Sequence, residues 1–99
     1  MQKTTERRYL AYAKVRCQKY GSGTASLMVL KNISKTGARL NLLASTLNFH
    51  RGDIIRLEVD LEGIKKIRVV NAEVIWTRAG ALGVSFVPPE AVYNKLLGQ

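Results

Sequence analysis

Asn32-Ile33-Ser34-Lys35-Thr36-Gly37 is a short polar turn whose side chains can do chemistry, and an arm bearing Arg7 and Arg8 precedes it. The Asn32 carboxamide can donate or accept at a base edge, the Ser34 hydroxyl can donate to phosphate or guanine, and Gly37 permits a positive φ or a close backbone approach. An arginine fork serves phosphate oxygens and the O6 and N7 acceptors of guanine with one planar group, and it also stacks on bases. Turn and arm together read as a site for an anionic, guanine-bearing ligand. On an extended arm the adjacent Arg7 and Arg8 project in opposite directions, so Arg8 is the candidate contact and Arg7 its electrostatic support. The plainer reading is a turn capped by Asn and Ser beside a solvated basic tail.

Composition narrows the partners. Sixteen Lys and Arg against seven Asp and Glu give a net charge of +9, which favours nucleotides, nucleic acid, an anionic membrane or an acidic protein. The 99 residues accommodate one domain, and a 46% hydrophobic content is enough for a real core. Cys17 and His50 each stand alone, which excludes an intrachain disulfide framework and any Cys/His metal spacing, and Cys17 reads as an inert core thiol. Asp53, Glu58, Asp60, Glu62 and Glu73 are scattered over strands and turns without forming an acid/base pair, so no enzyme activity is expected. The first residues hold charges but no apolar signal core, and the apolar runs are too short to span a bilayer; a cytoplasmic protein without membrane insertion is expected.

The elements that must position these residues follow from hydrophobic periodicity. Residues 1–11 are polar and basic without a period, as in a mobile arm, and residues 12–99 read as the folded domain. Ala13, Val15 and Cys17 alternate with charged neighbours in a half-buried strand, and Tyr20 to Thr24 turn the chain. Ala25 to Ile33 is apolar on both parities, as in a strand covered on both sides or locally bulged. Ala38, Leu40 and Leu42 mark a third strand, and Leu43 to Arg51 is irregular. Ile55, Leu57, Val59 and Leu61 form a fourth strand that ends in a Glu62-Gly63 hairpin turn. The return strand, Ile64 to Thr77, shifts its apolar parity between Ile67/Val69 and Val70/Ala72/Val74/Trp76, which suggests a bulge there and puts Trp76 with the core or rim. Leu82, Val84 and Phe86 alternate in a sixth strand. Pro88-Pro89-Glu90 then starts a helix over about 89–97, whose Val92, Tyr93, Leu96 and Leu97 stripe plugs a barrel end or meets a second chain. Six short strands separated by turns predict an all-β fold, a small six-stranded antiparallel barrel with a short C-terminal helix, because closure removes exposed edges.

Over roughly residues 6 to 87 this arrangement resembles the PilZ domain family, bacterial receptors for the second messenger cyclic di-GMP. That family carries RxxxR on an N-terminal arm and [D/N]xSxxG after the second strand. Asn32, Ser34 and Gly37 match the second motif completely, and Glu6-Arg7-Arg8 looks like the lead-in to the first. Arg8 takes the first arginine position, and the second falls on Tyr12; counted from Arg7 it falls on Ala11. Tyr12 can stack on guanine but lacks the paired donors of a guanidinium, a loss that weakens binding by roughly ten- to more than a hundred-fold. A nearby cation such as Lys14 or Arg39 could compensate, and sequence places neither. Gly52-Asp53, Ala72 to Trp76 and Leu82 to Phe86 look like the family's later strands.

What the resemblance implies is a cyclic di-GMP effector whose arm folds over the nucleotide and presents a new surface to a protein partner that controls motility, adhesion or exopolysaccharide. Arg7, Arg8, Asn32, Ser34 and Gly37 would hold the ligand, with Tyr12 and Trp76 as additional contacts and no cofactor or metal. The alternatives are a degenerate PilZ adaptor without nucleotide, motivated by Tyr12, and, ranked last, a basic barrel for RNA or single-stranded DNA that stacks bases on Tyr9, Tyr12, Tyr20 and Trp76.

Overall fold

Val15 and Cys17 are buried along β1 (Lys14–Lys19) while Lys14 and Arg16 between them are exposed, and this two-residue alternation builds the molecule. The computed structural model describes residues 13–44, 48–61 and 66–98. β2 (Ala25–Ile33), β3 (Gly37–Ala44), β4 (Ile54–Leu61), β5 (Lys66–Arg78) and β6 (Ala81–Val87) follow, and then α1 (Pro89–Leu97). All pairings are antiparallel, and the sheet closes as a barrel in the order β1-β2-β3-β6-β5-β4. The expected fold class is therefore the observed one. Cys17, Met28, Leu40, Ile55, Val74 and Leu82 meet in the interior, where each large aliphatic side chain contributes about 1.5 to 3 kcal/mol by leaving water.

Bulges set which residues reach the outer wall. Leu27 pairs with Ala44 and Met28 with Leu42, which makes Leu43 an extra residue on β3; Leu30 pairs with Leu40 and Asn32 with Arg39, which makes Lys31 an extra residue on β2. β2 is thus bulged, but only after the apolar run: Met28 and Leu30 face the core while Leu27, 52% exposed, and Val29 are apolar residues on the outer wall, so the strand is not covered on both sides.

On β5 the bulge lies later than the periodicity suggests. The β4–β5 register runs unbroken from Ile54↔Glu73 to Leu61↔Lys66, so Ile67 and Val69 simply face outward, with Ile67 63% exposed. The irregularity falls between Val74 and Trp76 in the pairing with β6, where Ile75 is the extra residue. It turns Trp76 out of the inward series Val70, Ala72 and Val74. The Glu62-Gly63 turn lies outside the described residues.

α1 begins after the extended Pro88, with Pro89 and Glu90 in its first turn and Lys95 in its last. Nine residues make a marginal helix alone. Here Ala91 and Val92 pack on Ile54 and Val87, and Lys95 Nζ meets Glu73 Oε1 at 2.9 Å. Ile55 faces the core, so its neighbour Ile54 faces out. The helix therefore covers a patch of outer wall instead of plugging the barrel, and Tyr93 and Leu97 of its stripe stay exposed.

Candidate functional site

The β2–β3 turn is held by its own polar groups. Ser34 N–H donates to the Gly37 carbonyl at 2.9 Å, and Ser34 Oγ donates to the same oxygen at 3.4 Å while accepting from Thr36 N–H at 3.3 Å. The Thr36 carbonyl accepts from Phe86 N–H at 2.8 Å, which clamps the turn onto β6. Gly37 is not among the positive-φ glycines, which are Gly21, Gly52 and Gly80. Its requirement is steric, because a Cβ there would overlap the Val84 carbonyl oxygen on the paired strand. Packing thus accounts for Gly37, and the turn accounts for most of Ser34. Asn32 is different: it is exposed, and its carboxamide makes no hydrogen bond among the described residues. Nothing in the fold of those residues uses its donor and acceptor pair.

Asn32 opens a row that crosses four strands on the outer wall. It pairs with Arg39 on β3, Arg39 with Gly83 on β6, and Gly83 with Trp76 on β5. The indole lies across Gly83 so closely that a Cβ on that residue would overlap Nε1 and Cε2. Arg39 Cζ is 6.0 Å and Arg78 Cζ 5.3 Å from the ring centroid, within cation–π range. β2, β3 and β6 contain no Asp or Glu, and the one carboxylate of β5, Glu73, is engaged by Lys95. Neither Arg39 nor Arg78 has an ion-pair partner among the described residues. An aromatic plane flanked by two guanidinium groups without counter-charge suits a planar base that carries an anion.

Of the residues singled out from sequence, the fold groups Asn32, Ser34 and Gly37 at one end of this row and Trp76 at the other. Arg7, Arg8 and Tyr12 lie outside the described residues. The first described residue, Ala13, lies beside β2: it is buried, and its carbonyl accepts from Leu30 N–H at 2.9 Å. Lys14 pairs with Val29 and Asp60 instead, away from Asn32. The sequence offers Arg39 only as a compensating cation without a position, and it does not single out Arg78 or Gly83 as site residues. Gly83 gives the only local signal, a glycine inside an apolar strand, which marks close approach of another group.

Other groups offer less chemistry. A cavity of about 240 Å³ at the barrel mouth is lined by Leu30, Ile33, Leu57, Val70 and Phe86, with Arg68 the one charged neighbour; such an apolar space does not suit a phosphate. Cys17 is fully buried, and burial pushes its thiol pKa up to about 12, so it is an inert thiol. His50 is exposed beside Asp53, whose Oδ2 accepts from the His50 backbone N–H at 2.8 Å. No group of metal-ligating residues occurs among the described residues, and no described helix is long and apolar enough to cross a membrane.

Comparison with known proteins agrees with this fold. The model of the PilZ domain family matches residues 2–99. The crystal structure of the PilZ domain of CeSA from a cellulose-synthesising bacterium superposes with a TM-score of 0.67 at 13% identity, covering 93% of this chain and 92% of that one. The Bacillus subtilis inhibitor of motility MotI/DgrA gives a TM-score of 0.60 at 20% identity over 98% of this chain, which spans 47% of that protein. At these identities the likeness is one of fold. No curated protein sequence matches the chain.

Proposed function

This chain belongs to the PilZ domain family, a family of cyclic di-GMP receptors, and from that premise we propose that it binds cyclic di-GMP on its outer wall and passes the signal to a protein partner. The observation that carries the reading is Asn32. Its carboxamide is exposed and unused by the described fold, next to the Ser34–Gly37 turn and at the end of a row without carboxylates. Asn32 and Ser34 form the polar floor of the site and Gly37 keeps the turn tight against β6. Trp76 offers a guanine its stacking face. Arg8 and Arg7 reach the phosphates from the arm. Arg8 lies five residue steps before Ala13, at most about 17 Å of extended chain, so an arm anchored beside Leu30 has the reach to close on Asn32.

Binding and relay are the whole activity in this reading; no chemical step is assigned. A protein working in the cytoplasm, in motility, adhesion or exopolysaccharide control, fits the second messenger and the processes named for the two structural neighbours. A nucleotide-free adaptor is the second reading, favoured by Tyr12 in the place of an arginine and by the structural duties that Ser34 and Gly37 already have in the turn. A nucleic-acid barrel has less support, because the Tyr20 hydroxyl is bonded to Asn71 and Tyr20 therefore shares no stacking surface with Trp76.

Calorimetric titration with cyclic di-GMP at two salt concentrations, with GMP as control, separates these readings. The receptor gives saturable heat with cyclic di-GMP that persists at moderate salt. Absence of both heat and thermal stabilisation at high ligand would leave the adaptor.

A further inference from the structure

We propose that Arg39 is a specificity-determining contact for the nucleotide: its guanidinium fork reads the O6/N7 edge of a guanine stacked on Trp76, with Arg78 as the supporting cation. The inference rests on the receptor reading above and goes beyond it by naming the residue that selects guanine.

Four observations converge on Arg39. Its place in the row, directly between Asn32 and Gly83, puts the guanidinium over the indole at 6.0 Å from the ring centroid, so a base that takes the ring face meets the fork there and moves it to its own edge. The indole is fixed across the bare backbone of Gly83, so the stacking plane is set before any ligand arrives. No carboxylate among the described residues occupies the fork. Finally, the arm has a tyrosine, Tyr12, where a second guanidinium would otherwise come from, which leaves the wall itself to supply one.

A base stacked on an indole turns its hydrogen-bonding edge sideways, toward neighbours in the plane of the sheet. Guanine shows two acceptors there, O6 and N7, and a guanidinium meets both at once; adenine replaces O6 with the N6 amine, a donor that repels the fork. Arg39 therefore favours guanine over adenine. Arg78 lies two residues beyond Trp76 on the same strand, and its charge supports the phosphates without choosing between bases.

Trp76 is the single tryptophan, so its emission reports on this wall alone. The test is a fluorescence and calorimetric titration of the full chain with cyclic di-GMP and cyclic di-AMP, using wild type, Arg39→Ala, Arg39→Lys and Arg78→Ala, each checked for folding by circular dichroism. Arg39→Ala is expected to lower cyclic di-GMP affinity about ten- to hundred-fold and to reduce the preference over cyclic di-AMP. Arg39→Lys keeps the charge but loses the fork, so it should lose preference as the alanine variant does. Arg78→Ala should weaken both ligands alike. If wild type binds and Arg39→Ala keeps its affinity and preference within twofold, the assignment of Arg39 is wrong and the receptor reading stands. If folded wild type binds neither dinucleotide, both are wrong.

Discussion

The β1–β4 wall and the β2–β3–β6–β5 wall use arginine in opposite ways. On the first, Arg16 and Arg56 both face Glu58, at 3.7 and 2.6 Å, and Lys19 faces Asp53 at 3.2 Å, so these three cations have carboxylate partners within the fold. On the second, Arg39 and Arg78 flank Trp76 with no carboxylate partner among the described residues, and Asn32 stands at the end of the same row with an unused carboxamide. One wall satisfies its own charge and the other presents charge outward. A net charge of +9 only hints at an anionic partner, whereas the division between walls is the reason the proposed site is put on the second one.

The contrast breaks most severely at Gly37. In Gly37→Val the side chain drives into the Val84 carbonyl, and because backbone must move, stability should fall by about 1 to 3 kcal/mol in chemical denaturation. A change smaller than a few tenths would mean that the β3–β6 approach is looser than described. Next come Arg8→Ala and Ser34→Ala, which are expected to weaken cyclic di-GMP binding by roughly ten-fold or more while leaving the midpoint of unfolding nearly unchanged in the arginine variant. Normal affinity in both would remove the arm and the turn from the site.

The other wall predicts a smaller and purely structural effect. Glu58→Gln leaves Arg16 and Arg56 without their carboxylate, but the three side chains are partly exposed, so the cost should be below about 1 kcal/mol and should shrink in high salt. Nucleotide affinity should not change in that variant; a drop would place part of the site on the β1–β4 wall.

At neutral pH the smallest effect belongs to Cys17, which sits in the core beneath both walls. Its folded pKa of about 12 lies above the ordinary 9.0, so the unfolded chain releases the proton first. The associated stability is complete below pH 9 and is lost as pH climbs from there toward 12. At pH 8 a thiol-alkylating reagent should label the denatured protein quickly and the native protein hardly at all, and fast native labelling would contradict the buried assignment.

Much of this was legible in the sequence, for identifiable reasons. Period-two alternation in Val15/Cys17, Ile55/Leu57/Val59 and Leu82/Val84 reveals strands because a wall with one buried face leaves little freedom of register. Asn32, Ser34 and Gly37 are readable because a tight turn brings near neighbours in the chain together. Trp76 can be named as a contact, but the side it faces is not readable, since the single extra residue Ile75 reverses its direction and nothing in the run Val74-Ile75-Trp76 says which residue is extra. Ile67 and Val69 mislead in the same strand, being apolar yet outward-facing. Arg39, Gly83 and Trp76 come from three strands and share a row only through register, a long-range property that periodicity does not contain.

The most direct test of the account is an amide proton–nitrogen correlation spectrum of the labelled protein titrated with cyclic di-GMP. The account predicts saturable shifts at Asn32, Ser34, Gly37, Arg39, Gly83 and the Trp76 indole N–H, with Arg16, Arg56 and Glu58 unmoved. Shifts concentrated on the β1–β4 wall, or none at saturating ligand, would contradict it.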